Sequence, residues 1–288
     1  MSAPGAILAA MGILAAETGP LRFPGRYFLQ NLVERRTLLA QLVRRDFEKR
    51  FVGSAAGWVW GVIHPLVLLL SWTFVFDWCL KVRLGTREVT QNYTIFLFCG
   101  FLPWLLLQDT VQRSATSLLE NASLITKTVF PSEIVPLSVF LSSLIHHLIG
   151  VALAVAAIAI WLNHFGPMIL LLPVYMALVG LLAVGIGWVV AALQVYVRDT
   201  AQVLVVVLTL WFWTTPIFIP EEQYPAQLRF LIAANPMACV VRGYREALLS
   251  YRLPEPQQLA IVALYAVAAF FLGGLFFRRL KRGFADVL

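Results

Sequence analysis

Charge is what this sequence has little of. Of its 288 residues, 13% are Asp, Glu, Lys or Arg and 60% are hydrophobic, and the mean hydropathy is +0.81. A soluble domain carries about 25% charged and about 45–50% apolar residues, so the composition places the chain in a membrane. Cysteine is scarce too. Cys79, Cys99 and Cys239 have no C-x-x-C spacing, which supports neither a disulfide framework nor a zinc site. None of the lysines (Lys49, Lys81, Lys127, Lys281) follows a glycine, so the phosphate-cradling loop of P-loop ATPases is missing. The H-E-x-x-H and G-x-S-x-G motifs are missing as well. No metal, ATP or other cofactor site is expected in this chain.

Ionisable groups inside the apolar blocks are few. Asp77 falls near one end of the first block. Asp109 precedes Arg113 by four residues, the spacing of a local helical ion pair. His146 and His147 are the deep candidates, and a helix–helix hydrogen bond is the reading favoured over a relay. An ion-coupled transporter needs more buried charge, and a membrane enzyme needs an acid–base cluster near one interface. The net charge of +7 resides mostly outside the apolar blocks, with no basic groove interleaved with aromatics, so nucleic acid is not an expected partner. The sequons at Asn92 and Asn121 read as chance matches.

What the chain does have is apolar length. Blocks at about 58–80, 93–113, 134–162, 168–197, 200–219 and 257–277 reach the roughly 20 residues that cross a bilayer. The expected fold is an all-α polytopic membrane protein with six transmembrane helices. Six crossings put both termini on one side. That side carries 15 Lys and Arg against 7 on the other, which makes the termini and the 121–136 segment cytoplasmic.

Residues 1–25 lack the basic start of a signal peptide and read as a loosely ordered extension. Residues 26–50 place Leu29, Leu32, Val33, Leu39, Leu42, Val43 and Phe47 at helical spacing beside arginines. This amphipathic helix suits the membrane interface, or a partner's surface. Gly53, Gly57 and Gly61 recur every four residues and predict a tight helix contact if all are helical. Between the last two spans, residues 221–252 hold two apolar runs broken at Asn235-Pro236. Each is too short to cross, which suggests a re-entrant helical hairpin. Aromatics crowd spans one and five: Trp58, Trp60, Trp72, Phe74, Trp211, Trp213 and Phe218. Such rings stack on sugar faces with little directionality; they also serve as ordinary packing.

Five segments together resemble a known family. They are RDFEKRFVGSAAGWVWGVIHP, LLENASLITKTVFPSEIVPLS, VYVRDTAQV, WFWTTPIFIPEE and NPMACVVRGYREALL. In this order they resemble the membrane subunit of ABC-2-type exporters, and more narrowly the O-antigen, capsule and teichoic-acid polysaccharide exporters of the Wzm type, over about residues 26–280. Residues 51–288 then form the transmembrane domain. The resemblance implies a homodimer in the bacterial inner membrane. It implies two separate cytoplasmic P-loop ATPase subunits that bind the ATP and Mg, a lipid-linked polysaccharide as substrate, and a channel at the dimer centre lined by spans one and five. It also implies an interfacial gate helix and a hairpin at the channel mouth.

In that picture residues 121–131 are the coupling helix. Asn121 or Ser123 would cap it and Pro131 would end it, while Leu124, Ile125 and Phe130 fill an apolar cleft on the ATPase and Lys127 meets an acidic rim. Arg198 and Asp199 are read as a helix-boundary ion pair at the joint of spans four and five. Export of a small lipid or drug by another ABC-2 branch, a polytopic enzyme and a passive channel stand as alternatives.

Overall fold

The computed structural model describes residues 35–50, 57–85, 88, 90–127, 130–162, 167–250 and 255–288. The 1–25 extension, the first part of the interfacial helix, Gly53 and the side chains of Trp58 and Lys127 lie outside the described residues. No strand occurs among the described residues.

Helix α1 spans Arg36–Lys49. A short turn at Gly57–Val59 leads into α2, Trp60–Thr73, which widens into a π-helical turn at Phe74–Cys79. Then come α3 (Tyr93–Glu120), the short α4 (Ala122–Lys127) and α5 (Ile134–Leu162). A tight turn at Pro167–Leu171 precedes α6 (Leu172–Tyr196), and α7 covers Thr200–Thr214. The chain closes with α8 (Arg229–Ala234), α9 (Pro236–Leu249), α10 (Pro256–Leu280) and α11 (Phe284–Val287).

Among the described residues, five helical segments have the length and apolarity to cross a bilayer: Trp60–Cys79, Tyr93–Glu120, Ile134–Leu162, Pro167–Tyr196 and Pro256–Gly283. The expected fifth span is the shortfall. Its helix ends at Thr214 after 15 residues, about 22 Å at 1.5 Å per residue. Pro216 explains the stop, because a proline holds the residue before it extended. Thr215 accordingly sits at φ −93°, ψ 132°.

Helix α3 is the axle of the bundle. Its most apolar stretch is 78% buried, against 11% for the first span and 17% for the last. It packs against α5, α6 and α9, while α10 lies along α6. Asn92 caps its start, its side chain accepting from the Ile95 N–H at 3.1 Å. That is the structural use of the first sequon.

Of the glycine triplet, Gly57 makes no close helix contact. Gly57 has φ +52° and nothing within 4 Å of where a Cβ would stand, so Gly57 does not continue a helical stripe towards Gly61. The tight crossing joins α6 to α10. A Cβ on Gly273 would collide with the Gly185 carbonyl, and one on Gly185 with the Ala269 carbonyl. Backbones meet there because neither residue has a side chain to hold them apart.

Long-range contacts define two ends. At the tail end lie α1, the loop 121–133, the turn 197–200 and the C-terminus, joined by Lys49–Glu120, Lys281–Glu133 and Tyr196–Leu280. At the opposite end the 80–92 and 215–228 segments meet. Gln223 donates to the Arg83 carbonyl at 2.6 Å and Tyr93 to the Phe218 carbonyl at 3.0 Å.

Candidate functional site

At the tail end α4 forms where a coupling helix is expected. Its described part runs Ala122–Lys127, and residues 128–129 lie outside the described residues. The Asn121 amide donates backwards to the Ser117 carbonyl at 2.8 Å, while its backbone carbonyl accepts from Leu124 and Ile125. Ser123 lies inside the helix and is exposed, as is Thr126. Leu124 is half-buried. Ile125 and Phe130, expected to face a partner, are half-buried against the chain's own core. Their apolar surface is partly used at home, so the outward face of this loop is more polar than the sequence suggests. Pro131 starts the turn into α5, its carbonyl accepting from Ile134 at 3.0 Å.

Beside α4, α1 is clamped to the bundle by charge. Asp46 accepts from Arg113 at 2.7 Å. Arg50 donates to Asp109 at 2.6 Å and to Ser143 at 2.9 Å. The expected local pair Asp109–Arg113 is a loose 4.0 Å, because each residue has found a nearer partner on α1 or just after it. Burial pushes the Arg50 guanidinium below its ordinary pKa, partly offset by Asp109. Between α1, α3 and α5 a cavity of about 230 Å³ is lined by Arg45, Lys49, Arg113, Glu120 and Ser138 among others.

The joint between α6 and α7 departs from the sequence reading. Arg198 and Asp199 are exposed, and no ion pair between them is found among the described residues. Gln194 does the work. Its amide donates to the Arg198 carbonyl and its oxygen accepts from the Ala201 N–H, both at 2.7 Å. A neutral side chain that both donates and accepts can bridge a turn from inside, which an exposed ion pair cannot.

The six aromatics of spans one and five whose side chains are described split into two groups; the Trp58 side chain lies outside the described residues. Phe218 is 4% exposed and is packed by Trp72, Phe76 and Phe212. Trp72 also meets Phe101 edge-on at 4.5 Å. Trp211 donates to Asn235 at 2.8 Å and stands edge-on to Trp104. These three rings are internal packing. Trp60, Phe74 and Trp213 are each more than half exposed, as is Trp78 of the same π turn. They stand with Val67, Leu70, Val203, Val206 and Leu210 on apolar faces of α2 and α7 that are exposed among the described residues.

The opposite end holds what the sequence reading missed. Arg245, counted among loop cations, is 5% exposed. Its guanidinium donates to the carbonyls of Phe96, Pro216 and Ile217 at 3.2, 2.9 and 2.8 Å. Pro216 and Ile217 lie just beyond the end of α7, where no helical N–H reaches their carbonyls. Asn235, which caps α9 by accepting from Met237, also donates to Thr215 at 3.0 Å. Arg242 pairs with Glu221. One faint signal was available: Arg245 falls four residues after Val241 on an otherwise apolar helix face. The histidine expectation agrees with the structure. His147 Nε2 lies 3.1 Å from the Tyr244 hydroxyl, joining α5 to α9.

The chain is similar to curated transport proteins over nearly its whole length. It is 26% identical over 263 residues to the O-antigen export system permease protein RfbA of Myxococcus xanthus, covering 90% of this chain and 98% of that one. It is 25% identical over 252 residues to the RfbA permease of Klebsiella pneumoniae, covering 87% and 95%. It is 22% identical over 241 residues to the polysialic acid transport protein KpsM of Escherichia coli, covering 82% and 91%. The family model described as ABC-2 type transporter matches residues 37–249, from α1 to the end of α9. The chain belongs to the ABC-2 type transporter membrane family.

Proposed function

We propose that this chain is the membrane-spanning subunit of an ATP-driven exporter that moves a lipid-linked polysaccharide, such as O-antigen or capsule, out across the bacterial inner membrane. The observation that carries the reading is the near-complete alignment with permeases named for O-antigen and polysialic acid export. Two copies of the chain associate with two cytoplasmic P-loop ATPases, which bind the ATP and Mg. The tail end is cytoplasmic, and α4 with Leu124, Ile125, Lys127, Phe130 and Pro131 forms the coupling loop. The short α7, continued by the extended 215–220 segment, completes a sixth crossing, and α8 with α9 forms the re-entrant hairpin.

The exposed apolar faces of α2 and α7 support a second copy and a channel between the two. Trp60, Phe74 and Trp213 are the rings free to meet a sugar polymer there, and ring stacking tolerates the sliding that export requires. Purification with the cognate ATPase and reconstitution into liposomes tests the reading. Export of a lipid-linked polymer should require ATP and stop when the ATPase is inactivated. Polymer movement without the ATPase, or no association with one, would refute it.

A further inference from the structure

We propose that the C-terminal residues Lys281–Leu288 are a brace for the coupling helix, so that the ATPase docks on α4 and the chain's own tail as one platform. The inference rests on the transporter reading above.

A helix of six residues has little stability of its own, since isolated helices below about 12 residues are marginal in water. Something must hold α4. Its main packing neighbours are α3, which it follows after the break at Asn121, and α11. The tail is therefore its chief lateral support.

The tail is itself firmly seated. Phe284 is 1% exposed, with its ring 5.4 Å from that of Phe277 and 6.1 Å from that of Tyr196. Tyr196, at the end of α6, donates its hydroxyl to the Leu280 carbonyl at 2.8 Å. Leu288 packs against the same core as Ile125 and Phe130.

The far end of the loop is held by the same segment. Lys281 Nζ reaches the two carboxylate oxygens of Glu133 at 2.8 and 2.7 Å. Glu133 stands one residue before α5, and its carbonyl accepts from Trp188 of α6 at 3.0 Å. The loop from Asn121 to Glu133 is thus pinned at both ends: α4 by α11, and Glu133 by Lys281. Both pins lead to α10, which is locked to α6 through the Gly185–Gly273 crossing. A push on α4 passes into α3, which it follows, and through the tail into α6 and α10.

The Lys281 and Glu133 side chains are 34% and 27% exposed. Pairs this open to solvent add little to folding stability. Their reversal should change how α4 is held without unfolding the protein, which separates a positioning role from a merely structural one.

The brace is read first on the full-length permease alone, by hydrogen exchange of amides 122–127. Lys281→Glu and Glu133→Lys should each speed that exchange by at least about threefold, as expected when local contacts open, with the unfolding temperature near that of the unaltered protein. Combining them should restore it, and Lys281→Arg should behave as the unaltered protein. Unchanged exchange in the single reversals, or a double variant no better than either single, overturns the brace whatever the ATPase does.

The platform is read next in liposomes with the cognate ATPase. Each single reversal should lower polymer export by at least about threefold, and the double should recover to within about twofold, the pattern of a directly coupled pair. Full export by both single variants overturns the shared platform. An unaltered chain that engages no ATPase sinks the transporter reading, and the platform with it, while leaving the exchange result distinct.

Discussion

The guanidinium carbon of Arg245 lies 3.4 Å from the centre of the Phe96 ring. The ring occupies one face of the cation, and the in-plane N–H groups reach three carbonyls. A planar, delocalised cation with forked donors can do both at once, whereas an ammonium cannot. Arg245→Met should cost about 2–4 kcal/mol, because the Pro216 and Ile217 carbonyls lose their partners in a buried place. Arg245→Lys should recover less than half of that. Thermal or denaturant unfolding in detergent measures both.

Gly273→Ala drives a methyl group into the Gly185 carbonyl. The collision is with backbone, which cannot swing aside as a side chain can. The α6–α10 pair must separate, at a cost of about 1–3 kcal/mol typical of overpacking. Gly274→Ala, whose added carbon would come no closer than 3.3 Å to the Trp188 ring, should cost clearly less. The same unfolding measurement compares them.

Asp46 and Arg113 join α1 to α3 with both side chains mostly shielded from solvent. Removing either alone leaves a poorly solvated charge, so Asp46→Ala or Arg113→Ala should destabilise by about 1–3 kcal/mol. The double variant should lose less than the sum of the two. A strictly additive cycle would show that the contact carries no coupling.

Trp213 and Trp211 are two positions apart and should behave differently. Trp213 is 56% exposed but stacks on Phe218 with ring centres 5.3 Å apart, so Trp213→Leu should cost about 0.5–1.5 kcal/mol, the worth of such a ring pair. If its ring meets the polymer, export falls. Trp211→Leu removes the bond to Asn235 and the edge contact with Trp104. It should destabilise by about 2 kcal/mol or more. Parallel stability and export assays separate the two roles.

Much of this fold was legible because long apolar runs and breakers act locally. The two apolar runs on either side of Asn235-Pro236 became α8 and α9, and His147 supplied the expected interhelical contact. The failures share a cause: each depends on what lies across the bundle. Asp109 had a plausible partner four residues away, but α1 brought Arg50 closer. The Gly53–Gly57–Gly61 spacing was visible, yet Gly57 leaves the helical path, while Gly185 and Gly273, 88 positions apart, could not be paired by inspection. Composition crowded aromatics into two spans without saying which rings face inward. Arg245 looked like one more loop cation because nothing in its neighbours announces the two bare carbonyls of Pro216 and Ile217 elsewhere.

Those carbonyls bear on how the protein is made. Helix α7 covers about 22 Å, against the roughly 30 Å of a bilayer's hydrocarbon core. A segment this short is poorly retained by its own apolarity during synthesis. The group that completes its far end, Arg245, is translated some 30 residues later. On the six-crossing topology proposed above, stable residence of this segment in the bilayer waits for α9 to emerge and dock, and a ribosome halted before Arg245 would leave it free to slip back.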